Sequence, residues 1–252
     1  MQITALRQFA RAASGDQMGG DELARLIMAH KSMAEGEDTV TASQIASFLR
    51  LWRAEAERSH ADARAFTDDA LWRSMPAPPA VPRLLLLLTD VLGIPLSEAA
   101  GIVGLEADEA ADLLKSQREA LKPEPGSRAI IVEDEPIIRD DLESVLRQVN
   151  VESVGWAESV SDAIDLCVDR QPDLIIADYN LGDENFDGEA LRRLRRVTDA
   201  PVIFVTGFPE EVLTGESFEP DFVIAKPYRA EAITAAVAHS LATSPSIRNE
   251  EL

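Results

Sequence analysis

The chain contains 252 residues, of which 46% are hydrophobic and 27% are charged, a composition typical of a soluble globular protein with room for two hydrophobic cores. Its formal net charge is −21, and most of the excess falls in residues 123–252, which hold 11 basic and 27 acidic side chains, whereas residues 1–122 hold 13 and 18. Such a charge opposes approach to a nucleic-acid backbone and favours basic partners or metal cations.

The sequence predicts neither a secreted protein, nor a membrane protein, nor a zinc protein. It has no basic, apolar leader, and its longest aliphatic run, residues 84–88, is far shorter than the ~20 residues that span a bilayer. We therefore expect a cytoplasmic protein that makes no membrane contact. The single cysteine, Cys167, stands in an apolar helical pattern and is expected to be buried. The three histidines are too dispersed for a Cys/His metal cluster: His30, His60 and His239.

Residues 1–60 carry helical patterns. Apolar residues recur at helical spacing from the start, a Ser-Gly-Asp break follows at residues 14–16, and a second helix opens near Gly20. Thr41 or Ser43 is placed to cap a third helix with an apolar stripe. The patterns predict a small helical bundle. Residues 61–81 are rich in charges and prolines and read as a connection that can include a short amphipathic helix.

Residues 82–122 have the outline of a helix-turn-helix. A leucine-rich helix ends at Gly93, a short helix starts at Pro95, and a longer helix over residues 106–122 follows the turn at Gly104. This spacing resembles region 4 of bacterial sigma factors of the extracytoplasmic-function type. The first turns of the last helix, which meet base edges in such motifs, are acidic, so we expect no DNA binding. A helical bundle that merely has these turns is the alternative.

Residues 123–127 predict a linker, because they contain two prolines and a glycine. Five strand–helix units follow, and they predict a doubly wound, five-stranded parallel sheet with the flavodoxin-like order 2-1-3-4-5. This domain is expected over residues 128–245, with a tail at residues 246–252. The predicted strands are residues 128–132, 151–156, 173–177, 202–205 and 222–225.

Polar side chains stand where four of these strands end, and parallel strands bring such ends to one edge of the sheet. Three clustered carboxylates repel one another unless a cation lies among them, and oxygen ligands suit Mg²⁺. A carboxylate at such a metal can attack a phosphoryl group, with a hydroxyl and an ammonium donating to the phosphoryl oxygens. Capping carboxylates in a flavodoxin-like domain are the alternative. The strand-end residues are Glu133, Asp134, Asp178, Thr206 and Lys226.

This arrangement resembles the receiver domain of two-component response regulators. The segment 204–208, Phe-Val-Thr-Gly-Phe, is similar to the Phe-Ala-Thr-Gly-Tyr signature of a receiver subfamily. Val223 stands where the aromatic switch residue of receivers usually lies, with Phe222 adjacent, so the sequence leaves open how the signal crosses the sheet. The resemblance implies that Asp178 is the phosphoacceptor, that Thr206 is the switch hydroxyl and that Lys226 binds the phosphate. It also implies a Mg²⁺ site formed by the side chains of Glu133, Asp134 and Asp178 and the backbone carbonyl of Asn180.

The whole chain is similar to the PhyR-type regulators of the general stress response. The similarity lies in residues 6–23, in the acidic helix over residues 106–122 and in segment 204–208. The resemblance implies a sigma-factor-like domain over residues 1–122, region-2-like over 1–60 and region-4-like over 82–122. A sensor histidine kinase or phosphotransfer protein would phosphorylate the receiver. The sigma-like domain would then capture a NepR-type anti-sigma factor and free the true sigma factor.

Three alternatives remain open from the sequence. They are a divergent paralogue with another partner, a DNA-binding response regulator, and an aspartyl-phosphate phosphatase that uses the same acids. The acidic helix argues against the second. The chain lacks a DxD pair after the first strand, where such phosphatases carry their nucleophile, so we expect a protein that is not an enzyme.

Overall fold

The computed structural model describes residues 3–14, 17–32, 41–61, 78–212 and 218–243. The chain divides into two compact units, Met1–Ala120 and Leu121–Leu252. Among the described residues, no helix combines the length and the apolarity that crossing a bilayer requires.

All regular secondary structure in the described part of the first unit is helical, which confirms the all-α prediction for this half of the chain. Most of the predicted connection at 61–81 lies outside the described residues, as does the predicted tail at 246–252. The helices are α1 (Ile3–Ser14), α2 (Gln17–Ser32), α3 (Ala42–Ala61), α4 (Val81–Leu86, continued by a π-helical turn at Leu87–Val91), α5 (Leu96–Val103) and α6 (Ala107–Ala120).

Helix α3 begins with a reciprocal capping box. The Thr41 hydroxyl accepts a hydrogen bond from the Gln44 N–H at 3.3 Å, and the Thr41 N–H donates to Gln44 Oε1 at 2.8 Å. Thr41, and not Ser43, is therefore the cap. The apolar stripe predicted for this helix is buried: Ile45, Phe48, Leu49 and Trp52.

Helix α2 begins at Gln17, three residues before the predicted start at Gly20, so the prediction of its boundary was wrong. Gly20 lies inside the helix at a point where α1 approaches closely, since a Cβ on Gly20 would lie 2.4 Å from the Arg11 Cα. Next to this contact, the buried Arg11 guanidinium donates to both carboxylate oxygens of Asp21, with distances of 2.8 to 3.0 Å. A tight crossing of α1 and α2 thus requires the glycine.

Helices α4, α5 and α6 follow the predicted helix-turn-helix outline. The chain turns at Gly93 and Gly104, which have φ angles of 68° and 80°. Helix α6 buries Ala110 and Leu114 and exposes its acidic side chains. Near its end, Arg118 pairs with the buried Asp90 of the π-helical turn, with Nη2 2.5 Å from Oδ1.

The second unit is a doubly wound α/β domain, as predicted. Its parallel sheet has the order β2-β1-β3-β6-β7, which is the predicted 2-1-3-4-5 arrangement once a small hairpin, β4–β5, is set aside. The sheet strands are β1 (Arg128–Val132), β2 (Glu152–Ala157), β3 (Leu174–Asp178), β6 (Val202–Thr206) and β7 (Phe222–Ala225). The helices are α7 (Pro136–Gln148), α8 (Val160–Arg170), α9 (Gly188–Leu194), α10 (Pro209–Val212) and α11 (Ala230–Thr243).

The core of this domain includes residues from the interior strands of the sheet. Every residue of β3 and β6 is buried, which agrees with their continuous apolar sequences. Helix α7 packs against α11, and α8 packs against α9. Cys167 in α8 is buried, as predicted, and burial raises the pKa of its thiol to about 12.

The hairpin formed by β4 (Asn180–Leu181) and β5 (Glu184–Asn185) was not predicted. It folds directly after β3, and Gly182 supplies its turn with a φ of 58°. The Glu184 carboxylate accepts a hydrogen bond from the Val160 N–H at 2.7 Å. This contact ties the hairpin to the first turn of α8.

Candidate functional site

Three carboxylates meet at the carboxyl edge of the sheet. Glu133 and Asp134 follow β1, and Asp178 ends the neighbouring strand β3. One oxygen of each carboxylate lies within 4.8 Å of the others. Glu133 and Asp178 are buried and Asp134 is half-buried. The structure thus brings together the three acids that the sequence placed at the ends of two strands.

Lys226 follows β7 and reaches two of these acids. Its Nζ donates to Asp178 Oδ2 at 2.7 Å and to Glu133 Oε2 at 3.1 Å. Its backbone N–H donates to the Thr206 carbonyl at 2.7 Å, which anchors the segment after β7 to the end of β6. The predicted lysine therefore lies in the same site as the predicted carboxylates.

Burial and charge act in opposite directions on this pair. Burial raises the pKa of Glu133, and the Asp178 charge adds to the rise, while the Lys226 ammonium partly opposes it. Burial alone would lower the pKa of Lys226, but its contacts with Asp178 and Glu133 outweigh that effect and raise it. Lys226 is therefore protonated at neutral pH and supplies a fixed positive charge beside Asp178.

Asn180 and Thr206 lie around the same edge. The Asn180 N–H donates to Asp178 Oδ1 at 3.0 Å, so both oxygens of Asp178 have a donor. The buried Thr206 hydroxyl accepts a hydrogen bond from the Phe208 N–H at 3.0 Å. That contact connects the end of β6 to the residues just before α10.

Val223 and its aromatic neighbour Phe222 have different surroundings on β7. Val223 is buried in the same apolar cluster as Phe204, its register partner on β6. Phe222 instead packs edge-on against the His239 ring of α11, with 5.5 Å between ring centroids. Of these two positions only Phe222 carries an aromatic ring, and both side chains are buried.

Two residues near the site were missed from the sequence. The Tyr228 hydroxyl donates to Asp141 Oδ2 on α7 at 2.9 Å, and burial together with this bond raises the pKa of the phenol. Gly182 approaches the acids, since a Cβ there would lie 3.5 Å from Asp134 Oδ2. The Tyr228–Asp141 contact joins residues 87 positions apart, and no spacing rule predicts such a pair.

Comparisons with known proteins extend over both units. The family model of the response regulator receiver domain matches residues 129–238. The phyllosphere-induced regulator PhyR of Methylorubrum extorquens is 30% identical over 252 residues, which cover 98% of this chain and 94% of that protein. The crystal structure of the response regulator PhyR from Brucella abortus has a TM-score of 0.76 and 26% identity, with 98% of this chain and 93% of that chain covered.

A further solved structure, that of the anti-anti-sigma factor PhyR from Bartonella quintana, has a TM-score of 0.76 and 26% identity, with 100% of this chain and 97% of that chain covered. A receiver domain that follows a helical unit makes the chain a response regulator. The similarity includes the helical unit, and the chain belongs to the PhyR family. The resemblance noted from the sequence is confirmed.

Proposed function

We propose that the chain is a phosphorylation-gated anti-anti-sigma regulator. Phosphorylation of Asp178 lets the sigma-like helical unit capture an anti-sigma factor, which frees a stress sigma factor. The observation that carries this proposal is the Lys226 ammonium between Glu133 and Asp178, with Asp134 beside them, in a member of the PhyR family. The chain is then a cytoplasmic regulator and not an enzyme.

Asp178 is the proposed phosphoacceptor because it ends a central strand and both of its oxygens face donors. The phosphoryl donor would be a phosphohistidine on a sensor histidine kinase or a phosphotransfer protein. A carboxylate oxygen of Asp178 forms a bond to phosphorus, the phosphorus–nitrogen bond breaks, and its electron pair stays on the imidazole. Lys226 is close enough to donate to the phosphoryl oxygens and offset their charge.

The residues of the site fit a magnesium ion. Their donors are oxygens, three carboxylates lie within 4.8 Å of one another, and the site is only partly buried. We propose that Glu133, Asp134, Asp178 and the backbone carbonyl of Asn180 hold it. When bound, Mg²⁺ would neutralise the clustered carboxylates and the transferred phosphoryl group. The missing side chain of Gly182 keeps the space beside Asp134 open.

Thr206 is the proposed switch. Its hydroxyl now accepts from the Phe208 N–H, and a hydroxyl can also donate, so it can turn to a phosphoryl oxygen on Asp178. Turning would break or strain the contact with Phe208, which directly precedes α10. Phosphorylation thereby changes the conformation of the segment that follows β6. We propose that this local change shifts the chain from a state that does not capture the anti-sigma factor to one that does.

The helical unit is the proposed output. We propose a sigma-like domain over residues 1–122, with region-2-like and region-4-like parts at 1–60 and 82–122, joined at 61–81. Residues 123–127 link it to the receiver at 128–245, and residues 246–252 form a tail. Helix α6 exposes Asp108, Glu109 and Asp112, which repel phosphates and favour a basic segment of a NepR-type anti-sigma factor. We therefore propose that the chain does not bind DNA directly.

A capture experiment tests this function. The full chain is immobilised with and without Mg²⁺ and phosphoramidate, and a purified NepR-type anti-sigma factor is passed over it. We expect capture by the phosphorylated wild type, little capture by Asp178→Ala, and wild-type behaviour from Asp169→Ala, which alters an exposed aspartate on α8. Equal capture by every sample would contradict gating, and no capture in any condition would contradict the partner.

A further inference from the structure

The segment that carries Lys226 is attached to the domain at three points. The Lys226 N–H donates to the Thr206 carbonyl at 2.7 Å, and the Lys226 ammonium contacts Glu133 and Asp178. Two residues later, the Tyr228 hydroxyl donates to the Asp141 carboxylate at 2.9 Å. The first two contacts belong to the site already described. The third lies outside it and has no part in the chemistry proposed above.

We propose that Tyr228 and Asp141 are positioning residues that hold the Lys226 ammonium at the phosphoryl site. This inference rests on the proposed phosphorylation of Asp178 and names two residues that support it. Neither side chain contacts the phosphoryl group. Both act through Lys226, because their hydrogen bond fixes the segment from which the lysine extends.

The Tyr228–Asp141 hydrogen bond joins the segment that carries Lys226 to helix α7. Asp141 lies on α7, and α7 begins at Pro136, directly after the loop that carries Glu133 and Asp134. The hydrogen bond therefore joins the segment of the lysine to the helix that follows the two acids. The distance between the ammonium and the carboxylates is then restrained from both sides of the site.

The chemistry of the segment supports the same conclusion. A lysine side chain is long and flexible, so a backbone that is held in place reduces the range of positions its ammonium can take. Pro227 lies between Lys226 and Tyr228, has no N–H to donate, and has a fixed φ. Tyrosine has only two side-chain torsions, so its hydroxyl is an effective anchor. Burial and the bond to Asp141 raise the pKa of Tyr228, and the phenol therefore stays protonated as a donor.

The test measures the rate at which phosphoramidate labels the full chain in the presence of Mg²⁺. In this reaction an Asp178 oxygen bonds to phosphorus, the phosphorus–nitrogen bond breaks, and ammonia leaves with the electron pair. We expect Tyr228→Phe and Asp141→Ala to slow labelling about twofold to tenfold, the usual effect of one lost hydrogen bond. Asp141→Asn keeps an acceptor oxygen and should restore most of the rate. Asp140→Ala removes the neighbouring carboxylate, which is exposed like that of Asp141, and should match the wild type.

A second measurement separates positioning from a general effect on folding. In a Lys226→Met background, Tyr228→Phe should slow labelling no further, because the lysine through which it acts is gone. Unfolding midpoints are recorded for every variant. If Tyr228→Phe does not fold, the labelling rates of Asp141→Ala and Asp141→Asn are compared instead, and a faster rate for Asp141→Asn supports the positioning role. Equal rates in wild type, Tyr228→Phe and Asp141→Ala would overturn the inference, as would an unchanged effect of Tyr228→Phe without Lys226. A wild type that accepts no label would overturn the proposed function itself, and this inference with it.

Discussion

The Lys226 ammonium lies 2.7 Å from Asp178 Oδ2, so the proposed acceptor is already ion-paired before a phosphoryl group arrives. The same ammonium lies 3.1 Å from Glu133 Oε2. One positive charge therefore offsets two buried carboxylates, and Asp134 adds a third negative charge to the group.

Magnesium should stabilise the folded chain. A ligand that binds only the native state adds about 2.7 kcal/mol when its concentration is a hundred times its dissociation constant. We expect the melting temperature to rise with added MgCl₂, and Asp134→Asn to remove most of the rise because it removes one carboxylate of the cluster. Differential scanning fluorimetry with an EDTA reference measures the effect.

The matched control for this measurement is Asp169→Asn, which removes an exposed charge from α8. It should keep the wild-type response to magnesium. A similar response in Asp134→Asn and Asp169→Asn would show that the three acids do not form a metal site.

The metal-free chain should lose stability as Glu133 ionises. Burial raises the pKa of Glu133 above its usual value of 4.5, so the folded state binds this proton more tightly than the unfolded state. The contribution of Glu133 to stability is thus complete below pH 4.5 and is lost as pH rises through the raised pKa. In EDTA, the melting temperature of Glu133→Gln relative to wild type should increase as the pH is raised above 4.5. A constant difference, like the one expected for Glu152→Gln at an exposed position, would contradict this assignment.

The Thr206 hydroxyl should be needed for the response and not for phosphorylation. Thr206→Ala removes the group proposed to turn from Phe208 to the phosphoryl oxygen, while Asp178 and Lys226 remain in place. We expect the rate at which phosphoramidate labels Thr206→Ala to stay within about threefold of the wild-type rate. Capture of the anti-sigma factor by this variant should no longer depend on phosphorylation. Thr206→Ser keeps a hydroxyl and should keep the dependence. Full gating in Thr206→Ala would remove Thr206 from the mechanism.

Glycine substitutions in the helical unit should differ in sign. A Cβ on Gly20 would lie 2.4 Å from the Arg11 Cα, so Gly20→Ala should destabilise the fold by about 1–3 kcal/mol. A Cβ on Gly101 in α5 would meet no atom within 4 Å, and Gly101→Ala should stabilise by up to about 1 kcal/mol through helix propensity. Urea unfolding of the two variants measures both changes. Destabilisation of equal size would mean that the close crossing at Gly20 has no special role.

The sheet and its acids could be predicted from the sequence because each signal is local. Short apolar runs marked the strands, and the polar residue after each run marked the strand end, so parallel topology placed Glu133, Asp134 and Asp178 together. The sequence also offered Thr41 as one of two candidate caps of α3, because a cap and its partner, here Gln44, lie three residues apart.

The remaining features depend on distant partners. Gly20 was taken as a helix start, whereas the structure places it inside α2, where Arg11 of α1 approaches it closely. The hairpin at 180–185 is held through Glu184 by α8, and Tyr228 is held by Asp141 on α7. None of these contacts leaves a pattern within a single segment.

The most direct test of the account is the dissociation constant of the full chain for a purified NepR-type anti-sigma factor. It is measured by calorimetry in Mg²⁺ with and without beryllofluoride, which mimics a phosphoryl group on Asp178. We expect binding to be about tenfold tighter or more with beryllofluoride, a coupling of about 1.4 kcal/mol, and Asp178→Asn to bind weakly in both conditions. A wild-type dissociation constant that beryllofluoride leaves unchanged would contradict the account.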